Sequence, residues 1–279
     1  MKVLVLGSEG TIGRSVYKHF IKNGHEVVPW DIKIDISHDL RIPNCLDRIL
    51  QSIDFVIFLA FDVGGAKYDV NSYKYMDDNI LLLHNTFDSL KKYKKPFIHS
   101  SSTMSNMGHN SYAVLKRLGE LYTTILGGKN IRLWNVYGNE EIGIKSHVIP
   151  DFINQAFTMN TISIRTSGLE ERMFIHCDDF SNALYCVFDN YSDIDNSIID
   201  ISSKSWTSII EIAYIIKNHI KIHYNTDINI VTNNTYIDSH NKKNEPDLSI
   251  ISKYWKQSIS IEAGIKQMIS TYLNESQNI

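Results

Sequence analysis

Short, mostly apolar runs alternate along the chain with stretches whose apolar residues recur every three or four positions. The runs read as strands buried on both faces, and the stretches as helices with one face on a core. Met1–Leu6 is the first strand, and Ile12, Val16, Phe20 and Ile21 mark a helix that Asn23-Gly24 ends. Glu26–Trp30 follows as a strand, Ile34-Asp35-Ile36 as a short third one, then a helix near Asn44 to Ser52 and the buried strand Asp54–Ala60. A helix from about Asp77 to Tyr93, the strand Phe97–His99, a helix carrying Tyr112 and Lys116 and the strand Asn130–Trp134 complete the first half. Such alternation predicts an α/β fold with a parallel, doubly wound sheet.

Beyond about Gly143 the pattern loosens. It predicts helices over Val148–Phe157, Asp178–Asn190, Ser208–His219 and Ile261–Leu273, with strands at Ile162–Ile164, Arg172–His176 and Ile198–Ile201. The stretch Asn225 to Asn244, rich in Asn, Asp and Thr, holds a strand-like Ile228–Val231 and reads as a surface elaboration.

Composition narrows the class. With 279 residues, 43% of them apolar, the chain suits one large domain or a main domain with a smaller lobe. A net charge of -3 without a basic block gives no footprint for nucleic acid. Cys45, Cys177 and Cys186 are odd in number and lack ligand spacing, which fits a reducing compartment and argues against disulfides or a metal site. The opening apolar run meets Gly7 too soon for a signal peptide or membrane span, so a soluble cytoplasmic protein is expected.

Chemistry gathers first at Gly7-Ser8-Glu9-Gly10-Thr11-Ile12-Gly13, between a strand and a helix. Gly7 permits a sharp turn, Gly10 clears the way for a pyrophosphate, and Gly13 lets the helix pack closely on the strand. The helix's first amides and its dipole then hold the anion. Asp31 stands 18 residues after Gly13, just beyond the second strand, where it can accept hydrogen bonds from adenosine ribose hydroxyls. An acid there repels a 2′-phosphate and favours NAD over NADP, with Lys33 nearby as a counterweight.

The cluster Ser100-Ser101-Ser102-Thr103 ends the strand at Phe97, on the sheet edge where open α/β folds hold ligands. Tyr112 and Lys116 lie one helical turn apart on one face. A nearby ammonium is expected to draw a phenol below its ordinary pKa of about 10, so that it exchanges a proton with an alcohol or ketone near neutral pH. A tyrosine and lysine so spaced are commonly just a solvated helix face; their place beside a serine cluster gives them chemical weight.

These residues carry a resemblance. The chain resembles the extended short-chain dehydrogenase/reductase family, the NAD-dependent nucleotide-sugar epimerases and dehydratases, over nearly its whole length. Gly7, Gly10 and Gly13 fit its GxxGxxG, with Thr11 and Ile12 in the same cradle, and Asp31 fits its ribose-binding acid. Asp35-Ile36 resembles its adenine-contacting pair, Phe58-Leu59-Ala60 its strand four, and Asn79 its helix-four asparagine. Tyr112–Lys116 fits YxxxK, Arg132–Gly138 is similar to R-x-x-N-x-Y-G, and Arg172–Asp179 to R-x-F-I-H-x-x-D.

The resemblance implies a Rossmann-type sheet with a smaller C-terminal substrate-binding lobe. The NAD-binding part would span 1–142 plus about 172–202, and the lobe about 143–171 plus 203–279. It implies hydride exchange between a sugar carbon and nicotinamide, with Tyr112 as acid/base, Lys116 holding the ribose, and Ser102 on the sugar hydroxyl. It also implies Asn135 and Arg172 as contacts to the nucleotide-linked sugar, and a homodimer through helices 77–93 and 112–126.

Departures from the family narrow the reaction. Ser102 is followed by Thr103-Met104, where 4,6-dehydratases carry Asp-Glu and 3,5-epimerising relatives a cysteine, so dehydration and carbon-proton abstraction are disfavoured. Epimerisation through a transient 4-keto sugar, or net reduction of a keto sugar, remain; a NAD-bound sensor is the alternative from another class. Only ten residues separate Ser102 from Tyr112, which leaves Ser101 open as the catalytic hydroxyl. The Asp62-Val63-Gly64-Gly65 loop resembles enzymes of GDP-sugars, and Asn139 stands where the family has proline.

Other residues have plainer readings. His99, His109, His147 and His176 read as surface or satisfied core histidines, and Trp134, Trp206 and Trp255 as core. Cys177 and Cys186 read as packing residues. Asp178-Asp179 reads as a helix cap, and Lys91–Lys95 as a basic helix end.

Overall fold

The structure, a computed structural model, describes residues 1–63, 72–106, 110–138, 140, 146–195, 198–233 and 244–276. Gly64, Gly65, His109 and Asn139, and most of the polar stretch before Asn244, lie outside the described residues.

Strand β1 (Lys2–Leu6) leads through the glycine turn into helix α1 (Thr11–Lys22) and strand β2 (Glu26–Trp30). Helix α2 (Asp47–Leu50), β3 (Phe55–Phe58), α3 (Tyr73–Tyr93), β4 (Phe97–Ser102), α4 (Ser111–Ile125) and β5 (Lys129–Leu133) follow. Next come β6 (Asn135–Tyr137), α5 (Val148–Met159), β7 (Thr161–Ile164), β8 (Glu171–His176), α6 (Cys177–Asp189) and β9 (Ile198–Ile201). The described chain closes with β10 (Trp206–Ser208), α7 (Ile209–Tyr224), β11 (Asn229–Thr232) and α8 (Ile261–Ser276).

Six parallel strands form the main sheet in the order β2-β1-β3-β4-β5-β9. Side chains of a strand alternate between faces, and both faces here are covered. Val3 and Val5 pack with Val16 and Phe20 of α1 and with Phe180 and Leu184 of α6. Leu4 and Leu6 pack on the other face with Leu50, Leu83, Phe87 and Leu115 from α2, α3 and α4. The sheet is thus a doubly wound, Rossmann-like one, and the chain order reverses between β1 and β3. At such a switch point the loops after adjacent strands splay apart and leave a crevice.

Two smaller sheets, β10-β8-β6 and the parallel pair β11-β7, belong to the C-terminal part. A separate cluster of Ile149, Phe152, Ile162, Phe174, Ile212, Ile216, Ile265 and Ile269 fills the space among α5, α7 and α8. Asp179 ties this part to the main sheet: buried in α6, it accepts Ser258 Oγ at 2.6 Å and the Ile259 amide at 2.7 Å. The helix itself is capped by His176, whose Nδ1 accepts the Asp178 amide at 3.3 Å, so the Asp178-Asp179 pair does not play the expected capping part.

The short strand expected at Ile34-Asp35-Ile36 is absent. Asp31 Oδ1 accepts the Lys33 amide at 2.9 Å and Asp35 Oδ1 the Ser37 amide at 2.8 Å, giving a turn and then a 3-10 turn over Ile36–His38. Aspartates that bond the backbone two residues on outcompete a strand ladder. The helix expected over Asn44–Ser52 is cut to its middle turn, α2, with Asn44 at positive φ.

Candidate active site

The glycine turn is built from two separate demands. Gly7 has φ of 84°, and a Cβ on it would lie 2.7 Å from the Ala60 nitrogen; a Cβ on Gly13 would lie 2.0 Å from the Gly7 carbonyl oxygen. Both are therefore fixed by packing within the chain, and Leu59 and Ala60 form the wall against which the turn closes. Gly10 differs, because a Cβ there would meet only the Gly7 oxygen at 3.4 Å. Nothing among the described residues requires a glycine at that position, so its lack of a side chain suits an approach from outside. Gly10 is also the N-cap of α1, no side chain caps the helix, and its first turn, with Thr11 and Ile12, holds no acid. This positive helix end suits a phosphate.

Asp31 follows β2 directly. Its Oδ2 accepts the Glu9 amide at 3.0 Å and its Oδ1 the Lys33 amide, which binds the carboxylate to the glycine turn. Each oxygen keeps a second lone pair for a hydroxyl donor. Ile32, Ile34 and Ile36 stand exposed beside it, Ile36 at 76%. An acceptor pair for ribose hydroxyls next to an apolar platform for a base fits an adenine dinucleotide. Asp35 is exposed, and its Oδ1 caps the Ile36–His38 turn. Asn79 is fully buried: it accepts the Asp62 amide at 2.9 Å and donates to the Tyr75 carbonyl at 3.0 Å, so it shapes the loop after β3.

Ser102 ends β4, in register with Leu133 of β5. Its hydroxyl acts on the phenol of Tyr112 in the first turn of α4, drawing its pKa down, and it accepts the Met104 amide at 3.2 Å. Ser101 points its hydroxyl elsewhere, into Glu120 Oε1 at 2.7 Å. Lys116 is only 3% exposed; its Nζ donates to the Ser100 carbonyl at 3.0 Å and lies 3.9 Å from the centre of the Phe61 ring. The same Phe61 meets the Tyr112 ring edge-on, centroids 5.7 Å apart. Phe61 thus packs between lysine and tyrosine, a contact that no spacing in the sequence announces.

The charges differ from expectation in one respect. Burial pushes the Tyr112 phenol above its ordinary pKa, with the Ser102 hydroxyl pulling the other way. Burial also brings the Lys116 amine down to about 7, against the pull of Glu120. Desolvation works against both charged forms, and at the 5.8 Å between Nζ and the phenol ring centre an amine only partly charged at neutral pH does not overcome it. Tyr112 accordingly stands as a phenol, ready to donate.

Asn135 begins β6, two residues past Leu133, and Arg172 lies on the neighbouring β8. Asn135 Nδ2 reaches the Met173 carbonyl at 3.5 Å, and Arg172 Nη1 donates to the Glu171 carbonyl at 2.8 Å. The structure thus puts these two on one small sheet that leaves the end of β5. Among the histidines, His99 is a satisfied core residue, 3.0 Å from Asn130 Oδ1 and held near a pKa of about 3 by burial, while exposed His147 pairs with Glu140 at 2.7 Å.

A profile of the "NAD dependent epimerase/dehydratase family" matches residues 3–202. The chain is 21% identical to UDP-glucuronic acid decarboxylase 1 of Arabidopsis thaliana, over 100% of this chain and 71% of the other. Its fold is similar to that of the UDP-glucose 4-epimerase of Thermotoga maritima solved with UDP-glucose, with a TM-score of 0.83, 18% identity, and coverage of 99% and 100%. It is also similar to MlghC, a GDP-mannoheptose C4 reductase of Campylobacter jejuni with NADP bound, with a TM-score of 0.79, 20% identity, and coverage of 98% of each chain. Among the described residues no helix is long and apolar enough to cross a membrane.

Two outcomes are expected from this geometry. Gly13→Ala should destabilise the protein by about 2 kcal/mol or more in urea unfolding, because its Cβ overlaps backbone. Gly10→Ala should leave the midpoint nearly unchanged while weakening NAD(P) binding at least about tenfold by calorimetry, the loss of one close backbone approach. Equal effects of the two on folding would remove the distinction.

Lys116 also gives stability a pH dependence. Its folded pKa of about 7 lies below the unfolded value of 10.5, so the unfolded chain binds more protons between the two and this group makes stability rise with pH across that window. Lys116→Met should raise the melting temperature of the cofactor-free protein at pH 7 and flatten the rise toward pH 10. An unchanged pH profile would show that burial does not lower the pKa of this amine.

Proposed function

We infer, for a chain that belongs to the NAD dependent epimerase/dehydratase family, that it is an NAD-dependent epimerase of a nucleotide-activated sugar, working through a transient 4-keto intermediate. The observation that carries this reading is the placement of Ser102 against Tyr112, whose phenol its hydroxyl pulls down in pKa, with Lys116 buried one turn behind it at the carboxyl edge of a dinucleotide sheet.

The residues fit the cofactor. Gly10, Thr11, Ile12 and Gly13 hold the pyrophosphate on the α1 amides, Asp31 takes the adenosine ribose, and Ile36 with Leu59 and Ala60 borders the adenine side. Bound there, the nicotinamide supplies a two-way hydride acceptor for the sugar carbon. Tyr112 exchanges the hydroxyl proton of that carbon, as base when the ketone forms and as acid when it returns. Ser102 fixes the sugar oxygen against the phenol, and Lys116 donates to the nicotinamide ribose. Asn135 and Arg172 take the sugar-diphosphate end, within a substrate lobe of about 143–171 plus 203–279. Asp31 beside the acid-free helix end favours NAD over NADP, since a 2′-phosphate would face its carboxylate.

Net reduction of a nucleotide-linked keto sugar is the second reading. It is favoured by Thr103 and Met104 beside Ser102: neither ionises, so dehydration is disfavoured, but reduction needs no more than the same tyrosine and a hydride.

Incubation with a panel of nucleotide sugars and keto sugars, following nicotinamide absorbance and product stereochemistry, separates the two. Epimer without net absorbance change is expected, whereas stoichiometric oxidation of the reduced cofactor would assign the reductase. Tyr112→Phe should lower kcat by at least about 100-fold with NAD affinity within about threefold. Full activity in that variant would undo the acid/base role of Tyr112, whereas silence of the wild type across the panel would favour a dinucleotide sensor.

A homodimer is part of the same proposal. Exposed Tyr73, Ile80 and Leu81 on α3 and Val114, Leu121 and Ile125 on α4 leave adjoining helices with apolar outer faces. Light scattering should give twice the 32.1 kDa chain mass, and a monomer at micromolar concentration would contradict it.

A further inference from the structure

Glu120 has no part in the chemistry above, yet it lies on the same stripe of α4 as Tyr112 and Lys116, one turn farther on. It is 1% exposed and accepts from five donor groups. These are Ser101 Oγ at 2.7 Å, Ser105 Oγ at 2.8 Å, Arg132 Nε at 2.7 Å and Nη2 at 2.9 Å, and Arg117 Nη1 at 2.9 Å. Its backbone carbonyl takes Asn130 Nδ2 at 3.2 Å. One residue of α4 therefore joins the end of β4, the 3-10 turn over Thr103–Asn106 and β5.

The pattern exceeds what charge pairing needs. Arg132 alone gives the carboxylate a two-bonded partner, and Arg117 adds another. The two serine hydroxyls are neutral and stand on either side of Ser102. They fasten the backbone that carries its hydroxyl, on both flanks, to the helix that carries the phenol. The guanidinium of Arg132 and the serine hydroxyls keep the Glu120 carboxyl down at about 2, so it stays an acceptor throughout the working pH range.

We propose that Glu120 is a positioning residue, whose carboxylate clamps the Ser101–Ser105 segment to α4 and thereby fixes the Ser102 hydroxyl beside the Tyr112 phenol. This rests on the reading of Ser102 and Tyr112 as the proton-handling pair.

Two variants separate the clamp from simple ion pairing. Glu120→Gln keeps the size but turns an amide toward the donors. It also deprives Arg132, whose side chain is 16% exposed, of its hydrogen-bonded carboxylate, which by itself weakens folding. Glu120→Leu combined with Arg132→Met removes both charges and still deprives the serines of their acceptor. Hydrogen exchange of the cofactor-free protein should show amides of residues 100–106 exchanging at least about tenfold faster in both variants, with those of β1 and α1 unchanged. With the best substrate of the panel, kcat should fall about 100-fold while KM stays within about threefold, as for a misplaced reacting group. Unchanged exchange at 100–106, or wild-type kcat in the charge-free double variant, overturns the proposal. A wild-type protein that turns over no sugar nucleotide defeats the functional reading instead, and the exchange measurement then decides the clamp alone.

Discussion

A lysine amine buried under a sheet edge is the constraint on which the rest of the site depends. The burial of Lys116 is offset in part by three groups: the Ser100 carbonyl at 3.0 Å, the Phe61 ring at 3.9 Å, and the negative charge of Glu120 one turn away. Each lies on a different element. The carbonyl belongs to β4, the ring to the loop after β3, and the carboxylate to α4. An uncompensated buried ammonium costs several kcal/mol, so the lysine draws these elements into one arrangement. Tyr112, a turn earlier on the same helix face, and Ser102, two residues past the accepting carbonyl, are placed as a consequence.

The sheet supplies the other half of the logic. Because the chain order reverses between β1 and β3, the glycine turn and the β3 loop part at their carboxyl ends. Gly7 and Gly13 are required by packing, whereas Gly10 is free of internal demand, and Asp31 locks the turn to β2 through the Glu9 amide. One side of the crevice is thus shaped for an anion and a ribose, and the other holds the phenol, the hydroxyl and the amine. A dinucleotide bridging the two would bring its reactive ring to Tyr112.

Much of this was legible in the sequence because it rests on local patterns. Continuous apolar runs identified β1 and β3 at the centre of the main sheet, since a strand covered on both faces has no polar side to show. Spacing placed Tyr112 over Lys116, and the three glycines at the turn. The strand expected at Ile34–Ile36 failed because Asp31 and Asp35 bond their own backbone, a local competition that hydrophobic pattern does not register. The downward pull on the tyrosine failed for a different reason: desolvation depends on what covers the pair, and Phe61 arrives from another loop. Glu120 could have been found from its place four residues after Lys116. Its partners Ser101, Ser105 and Arg132 come from elsewhere in the chain, and only folding unites them.

The central claim is that the carbon-bound hydrogen of the sugar moves as hydride while Tyr112 handles only the oxygen-bound proton. The most direct measurement follows deuterium placed at C4 of the nucleotide sugar, or at C4 of the reduced nicotinamide, through complete turnover in ordinary water. The label is expected on carbon in the product, held in the epimer or delivered to the reduced sugar. Its loss to solvent at the rate of turnover would show that the hydrogen leaves as a proton, and would contradict the account.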